Sequence, residues 1–229
     1  MMPSRRLVTV MDSNDPSTGP TSARANPPKR LVLGCGALAH ELVAALAQHP
    51  ETKAHTKLHC LPAKLHNTPQ FIASAVDDYL TEHGAQYDDI LVAYGDCGTA
   101  GALDEVLNTH QATRLPGAHC YEFYAGTDLF ERLQDQELGS FYLTDFLVRH
   151  FERLVIEGLG LDRNPEMRAV YFRHYRKLVY LAQTEDAQLQ AEASAIAQRF
   201  GWDYDYQPVG LAGLAPIVGR SVSIPVQLA

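Results

Sequence analysis

The sequence has 229 residues and a mass of 25.3 kDa, with 46% hydrophobic and 20% charged residues. This composition suits one folded domain and excludes collagen-like, coiled-coil and wholly disordered chains. The net charge of -8 disfavours nucleic acid as the main partner, because an acidic chain is repelled by phosphates. The sequence has no apolar run near the ~20 residues of a membrane-spanning helix. We therefore expect neither a nucleic-acid partner nor a membrane partner.

Residues 1–29 are rich in Pro, Ser, Thr and Asn and have no helix or strand period, which predicts a disordered N-terminal tail. The apolar stretch at 7–11 is shorter than the core of a signal peptide. We therefore expect a cytoplasmic protein with reduced thiols.

Residues 30–209 are predicted to form a single α/β domain in which apolar strands alternate with amphipathic helices. Strands are expected at 30–33, 56–61, 89–94, 112–115, 178–182 and 202–206. Helices are expected at 37–48, 69–82, 100–109, 121–133, 141–157, 165–176 and 187–200. Residues 210–229 are rich in Gly, Pro and Ala and are predicted to be an irregular C-terminal tail.

This alternation is typical of a parallel sheet that is covered by helices on both faces. We predict a doubly wound, mainly parallel Rossmann-like α/β sheet with a helical insertion before the fifth strand. Ligands bind such sheets beyond the carboxyl ends of the strands, so those ends are where functional residues are expected.

All four cysteines lie near the ends of predicted strands, at Cys35, Cys60, Cys97 and Cys120. Four cysteines are too few for a domain of this size to be held together by disulfides. Because thiolates and imidazoles are good ligands for zinc and iron, we predict that the site binds a metal ion or an iron–sulfur cluster. The predicted ligands are Cys35, Cys97 and Cys120, with His66 or His119 as the fourth. For any single cysteine, the alternative to a role as metal ligand is that of a buried thiol that only packs in the core. Cys60 is the weakest of the four candidates, because the flanking Leu58 and Leu61 indicate that it faces the core.

Other polar residues follow the same strand ends. Asp96, His119 and Glu122 are predicted to supply acid–base chemistry or to orient metal ligands. The alternative role for Asp96 is structural: its side chain would form an Asx turn at the end of the strand.

Two glycine-rich turns are candidate cofactor sites. Gly98 and Thr99 open a predicted helix, whose free amides are expected to hold an anion such as a carboxylate or a phosphate. Gly34 and Gly36 lie in the sequence GCGALA, which is similar to a loose dinucleotide fingerprint. NAD is not favoured, since no clear acidic residue ends the second strand.

Seven short motifs occur together: GCGAL at 34–38, LHNTP at 65–69, YGDCG at 94–98, HCYE at 119–122, LTDFL at 143–147, GLGLD at 158–162 and YLAQ at 180–183. Over residues 31–209 this combination resembles the prokaryotic family catalogued as domain of unknown function 1638. The resemblance implies no established reaction. It implies an association with one-carbon metabolism, because members of the family are often encoded beside corrinoid-dependent methyltransferases of the trimethylamine type.

Three hypotheses follow. The first is a metal- or iron–sulfur-binding protein that acts on a small molecule in corrinoid-linked methyl transfer. The second is a non-catalytic accessory or binding module for a corrinoid protein or a methyltransferase. The third is a metal-free enzyme with Cys97 or Cys120 as nucleophile and His119 as base.

Overall fold

The computed structural model describes residues 29–218, and within this range seven strands form two parallel sheets. The larger sheet has the order β2-β1-β3-β4 and contains β1 (Arg30–Cys35), β2 (Thr56–Leu61), β3 (Asp89–Ala93) and β4 (Thr113–Arg114). The smaller sheet has the order β5-β6-β7 and contains β5 (Ser140–Thr144), β6 (Lys177–Ala182) and β7 (Asp203–Pro208). The predicted N-terminal tail, except for Lys29, lies outside the described residues.

Helices connect the strands. They are α1 (Ala39–Ala47), α2 (Pro50–Lys53), α3 (Ile72–His83), α4 (Ala102–Thr109), α5 (Tyr121–Ala125), α6 (Thr127–Gln136), α7 (Asp145–Arg149), α8 (Met167–Tyr171), α9 (Ala187–Phe200) and α10 (Ala215–Val218). Short 3-10 segments include Gly36–Leu38, Ala63–Asn67 and Pro69–Phe71, and a π-helix spans Glu152–Glu157. In the described part of the chain, no helix has both the length and the apolar character needed to cross a bilayer.

The larger sheet is buried on both faces, as its sequence predicts. Every residue of β1 is buried, which is typical of a central parallel strand. On α3 the buried residues Ile72, Val76 and Leu80 recur every fourth position, so a single stripe of this helix faces the core. The predicted parallel, helix-covered architecture is confirmed for this sheet.

The smaller sheet corrects the predicted insertion. Residues 140–144 form β5, although a helix was expected at 141–157, and β5 pairs in parallel with β6 from Ser140 opposite Lys177 to Thr144 opposite Leu181. A short apolar run fits a buried strand and a buried helix equally well, so periodicity alone could not separate them. The insertion therefore contains a strand as well as helices, and the fold has two sheets.

Both sheets share one hydrophobic core. Leu33 of β1, Leu143 of β5 and Tyr180 of β6 belong to the same buried cluster. On the other face of the smaller sheet, α6 packs Phe130 against a second cluster that includes Val179. The two sheets therefore form a continuous body.

The end of the described chain also differs from the prediction of an irregular tail from residue 210. A 3-10 turn, Ala212–Leu214, leads into α10, and Leu214 and Ile217 are fully buried. Residues 219–229 of the predicted tail lie outside the described range.

Candidate functional site

A cavity of about 200 Å³ lies at the carboxyl ends of β1 and β3, next to the start of α5. It is lined by Cys35, His66, Ile72, Tyr94, Cys97, His119, Cys120 and Tyr121. The structure therefore brings the predicted metal ligands and His119 to one place, although they come from four separate segments of the chain.

Close packing of two loops places Cys97 beside Cys120. The amide of Cys97 donates a hydrogen bond of 2.8 Å to the carbonyl of Ala118. A Cβ atom on Gly95 would lie 3.0 Å from the carbonyl oxygen of Gly117, so only glycine allows the loops this close approach. The main chain thus fixes the relative position of the two cysteines.

The Sγ atoms of Cys97 and Cys120 are 3.8 Å apart, within hydrogen-bonding distance for sulfur. When Cys97 is ionised, the Cys120 thiol donates to it, and this hydrogen bond lowers the pKa of Cys97. The same interaction, together with burial, raises the pKa of Cys120. The pair therefore favours one thiolate and one thiol.

Cys35 ends β1 and is only 2% exposed. Burial raises the pKa of its thiol to about 11. Its Sγ accepts a hydrogen bond of 3.5 Å from the amide of Ala37, at the start of the 3-10 turn. In this environment Cys35 is a neutral thiol at pH 7.

His66 reaches the cavity from the 3-10 segment Ala63–Asn67. Its Nε2 lies 3.3 Å from the hydroxyl of Tyr121. Burial, and then the neighbouring His119, lower the pKa of His66, so the ring is neutral at pH 7. A neutral imidazole is the form that binds metals.

Tyr94 adds a buried hydroxyl group to the cavity. It is 1% exposed, and its hydroxyl has no hydrogen-bond partner of ordinary geometry among the residues described. Burial, and then the nearby Cys35, raise the pKa of Tyr94, so the hydroxyl stays protonated. It is a donor available to a bound molecule.

Asp96 organises the loop before α4 and is not among the residues that line the cavity. Its carboxylate accepts hydrogen bonds from the amides of Gly98, Ala100 and Gly101 and from the Thr99 hydroxyl, at 3.0–3.3 Å. Burial alone would raise the pKa of Asp96, but these hydrogen bonds outweigh it and lower the pKa. The amide of Gly98 and the hydroxyl of Thr99, predicted to hold a cofactor, thus bind the chain's own carboxylate, in the manner of an Asx turn.

Glu122 also supports a loop. Its carboxylate accepts hydrogen bonds from the amide of Ala118 at 3.1 Å and from the hydroxyl of Thr127 at 2.9 Å. Of the three residues predicted to be catalytic, His119 is the one that lines the cavity.

Gly34 and Gly36 serve the packing of the chain itself. A Cβ on Gly34 would lie 2.5 Å from Leu42, and one on Gly36 would lie 2.7 Å from the carbonyl oxygen of Leu61. The main chain beside Gly36 therefore leaves no room for a side chain there, and the Leu42 side chain fills the space beside Gly34.

Three residues that line the cavity were not predicted: Ile72, Tyr94 and Tyr121. The two tyrosines lie inside the YGDCG and HCYE motifs, so their position beside the cysteines was the available signal. Ile72 gives no such signal, because it reads as an ordinary core residue of α3. Cys60 pairs opposite Gly34 in the sheet and does not line the cavity.

The fold and the cavity define a parallel α/β protein with two sheets and a site of cysteines, histidines and tyrosines at the strand ends. The family model described as protein of unknown function (DUF1638) matches residues 60–218, more than half of the chain, and the chain belongs to this family. The matched range begins at β2 and leaves out β1 with its GCGAL motif, although the predicted resemblance ran over 31–209. No curated protein and no solved structure matches the chain.

Proposed function

We propose that the cavity binds a single metal ion of the zinc type through Cys97 and Cys120, and that this site acts on a small molecule. The separation of the two sulfurs carries the proposal. Two sulfurs on one tetrahedral metal, at metal–sulfur distances of about 2.3 Å, lie about 3.8 Å apart. The Sγ atoms of the pair are 3.8 Å apart. A [4Fe–4S] cluster fits this pair less well, because each thiolate would bind a different iron atom and the sulfurs would be farther apart.

The pair needs further ligands. Within residues 29–218, no three side chains of His, Cys, Asp or Glu stand close enough together to hold a metal ion without moving. Cys35, His66 and His119 line the same cavity and are the candidates to turn inward. We favour His66, since its ring is neutral and its Nε2 contacts the Tyr121 hydroxyl, which leaves Nδ1 to bind.

A zinc ion with an open position polarises a bound substrate or lowers the pKa of a bound thiol or water. The chain would supply the remaining functions. His119, exposed at the edge of the cavity, would move protons, and the Tyr94 hydroxyl would donate a hydrogen bond to the bound molecule.

The size of the cavity limits the substrate. The cavity is small, with a volume of about 200 Å³. A small methylated compound is compatible with this volume, whereas a corrinoid is much larger. In a corrinoid-linked reaction the corrinoid would therefore remain on a partner protein that docks outside the cavity. The proposal expects a reducing compartment such as the cytoplasm, since the thiols must stay free.

The test is metal content after anaerobic purification, followed by replacement of the metal with cobalt(II). We expect about one zinc ion per chain and, with cobalt, absorption from thiolate ligands. Cys97→Ser and Cys120→Ser should each abolish both signals, and Cys60→Ser is the matched control that should keep them. Protein that takes up neither ion, at thiols shown to be reduced, would overturn the proposal.

A metal-free cysteine nucleophile is the second candidate function, favoured by the contact between Cys97 and Cys120 in a cavity that can admit a substrate. Its test is activity in metal-free protein that is lost when Cys97 is alkylated. A non-catalytic accessory module would instead show a thermal shift with a corrinoid protein or methyltransferase and no turnover.

A further inference from the structure

Two of the four cysteines are placed to bond to each other. Cys97 and Cys120 have their sulfurs in van der Waals contact at 3.8 Å, and both residues are partly exposed. Cys35 is buried, and Cys60 lies outside the cavity. We propose that Cys97 and Cys120 form a reversible disulfide when no metal is bound, with a low-molecular-weight disulfide as oxidant, and that this bond closes the metal site.

The geometry requires little movement. A disulfide bond is about 2.05 Å long, so the sulfurs must approach each other by roughly 1.8 Å. The hydrogen bond from the Cys97 amide to the Ala118 carbonyl already holds the two loops together. A second main-chain hydrogen bond, 3.0 Å from the amide of Asp96 to the carbonyl of Gly117, also keeps the loops from separating. We therefore expect rotation of the two side chains to bring the sulfurs within bonding distance.

The reaction is two successive thiol–disulfide exchanges. The Cys97 thiolate attacks one sulfur of the small disulfide, forms a mixed disulfide and releases the other half as a thiolate. The Cys120 thiol then gives its proton to that released thiolate. Its own thiolate attacks Sγ of Cys97, so that the Cys97–Cys120 bond forms and the second small thiolate leaves. This thiolate takes up the proton that Cys97 lost before the first attack. The protein is oxidised by two electrons, and the small disulfide is reduced to two thiols.

The part of the inference that concerns metal rests on the proposed function. A disulfide offers no thiolate ligand, so oxidation of the pair would remove the two sulfurs on which the metal site depends. Bound metal would in turn protect both sulfurs from exchange. Oxidation and metal binding are therefore expected to exclude each other.

The sequence makes the test direct, because trypsin separates the four cysteines. Cys35 falls in peptide 31–53, Cys60 in 58–64, Cys97 in 65–114 and Cys120 in 115–132. Reduced, metal-free full-length protein is treated with oxidised glutathione, quenched with an alkylating agent and digested. We expect peptides 65–114 and 115–132 to be joined by a disulfide, and this product to disappear on reduction.

Variants identify the order of attack. Cys120→Ser should keep one glutathione on Cys97, because the second exchange has no attacking thiol, and Cys60→Ser should behave like the wild type. The wild-type digest decides the question even if a variant fails to fold. Glutathione adducts without the joined peptides, or a disulfide involving Cys35 or Cys60 instead, would overturn the inference.

Zinc separates this inference from the proposed function. If zinc binds, prior loading should suppress the joined peptides at least tenfold, and equal yields with and without bound zinc would overturn the mutual exclusion. If zinc does not bind but the joined peptides form, the metal proposal fails while the disulfide inference holds.

Discussion

The hydroxyl of Tyr180 donates a hydrogen bond of 2.7 Å to Oδ1 of Asp145 and so connects β6 to the end of β5. Asp145 is 1% exposed, and its carboxylate also accepts from the amide of Gln183 at 3.0 Å and from the Thr184 hydroxyl at 2.5 Å. The LTDFL and YLAQ motifs thus meet in one buried network. Because a buried carboxylate needs such partners, we assign these motifs to holding the smaller sheet together.

Asp145→Asn should destabilise the protein by about 2–4 kcal/mol, because an amide brings a donor into a site that already supplies three donors. Tyr180→Phe removes one donor and should cost only about 1 kcal/mol. Urea unfolding of the three proteins measures both differences. A surface substitution changes the free energy of unfolding by roughly 0.5 kcal/mol. If Asp145→Asn changes it by no more than that, the network does not hold the smaller sheet together.

Glu41 gives a prediction for pH. It is 7% exposed on α1, and its Oε2 has no hydrogen-bond partner in the part of the chain that the structure describes. Burial is the largest effect and raises the pKa of Glu41. A hydrogen bond to its own backbone opposes this, the nearby Asp145 raises the pKa further, and His40 and Arg149 lower it by less. A raised pKa means that the folded state holds the proton more tightly than the unfolded state.

The contribution of Glu41 to stability is therefore fully present below its unfolded pKa of about 4.3 and is lost as pH rises through the raised pKa. Glu41→Gln should remove this loss, so the variant gains stability relative to the wild type as pH rises. Glu131→Gln, which neutralises an exposed carboxylate in the middle of α6, is the matched control for the loss of one carboxylate. If the stability of the wild type and of Glu41→Gln changes in parallel between about pH 4 and pH 8, the pKa of Glu41 is not raised by folding.

The sequence predicted most of the larger sheet because its strands and helices have distinct periods. β2 begins and ends at its predicted residues, and the helix predicted at 69–82 forms as a 3-10 turn, Pro69–Phe71, followed by α3. In the smaller sheet, the strands predicted at 178–182 and 202–206 form as β6 and β7, but β5 was not predicted. The run that forms β5 continues into α7 with no Gly or Pro between them. Its identity as a strand depends on pairing with β6, which is a tertiary contact.

The candidate site shows the same limit. Strand ends and glycine-rich turns were enough to predict that Cys35, Cys97 and Cys120 converge. They could not show that Asp96 turns back into its own loop, because that depends on which amides the loop leaves unpaired. An Asp in a turn fits both roles equally well until its hydrogen bonds are known.

Gly95→Ala tests whether loop packing maintains the site. The added Cβ would lie 3.0 Å from Gly117 and 3.1 Å from the amide nitrogen of His119, both main-chain atoms that cannot move aside cheaply. We expect a loss of about 1–3 kcal/mol in stability and weaker binding of zinc. Gly84→Ala is the control, since its Cβ would make ordinary contacts of 3.6 Å and longer. A Gly95→Ala protein with wild-type stability and zinc affinity would show that the close approach is not required.

The reactivity of the thiols provides the last prediction. In reduced, metal-free protein, Cys97 should be alkylated first, because the hydrogen bond from Cys120 lowers its pKa and it is partly exposed. Its rate should rise with pH around a midpoint below that of an ordinary thiol, about 8.5. Cys35 should react last, since it is buried and its pKa is raised to about 11.

Iodoacetamide labelling across pH, read from the four separate tryptic peptides, measures the order in which the cysteines react. Cys120→Ala should shift the Cys97 midpoint upward, because alanine removes the hydrogen-bond donor that stabilises the Cys97 thiolate. An unchanged midpoint in that variant, or faster labelling of Cys35 than of Cys97, would show that the pair does not control the reactivity of this site.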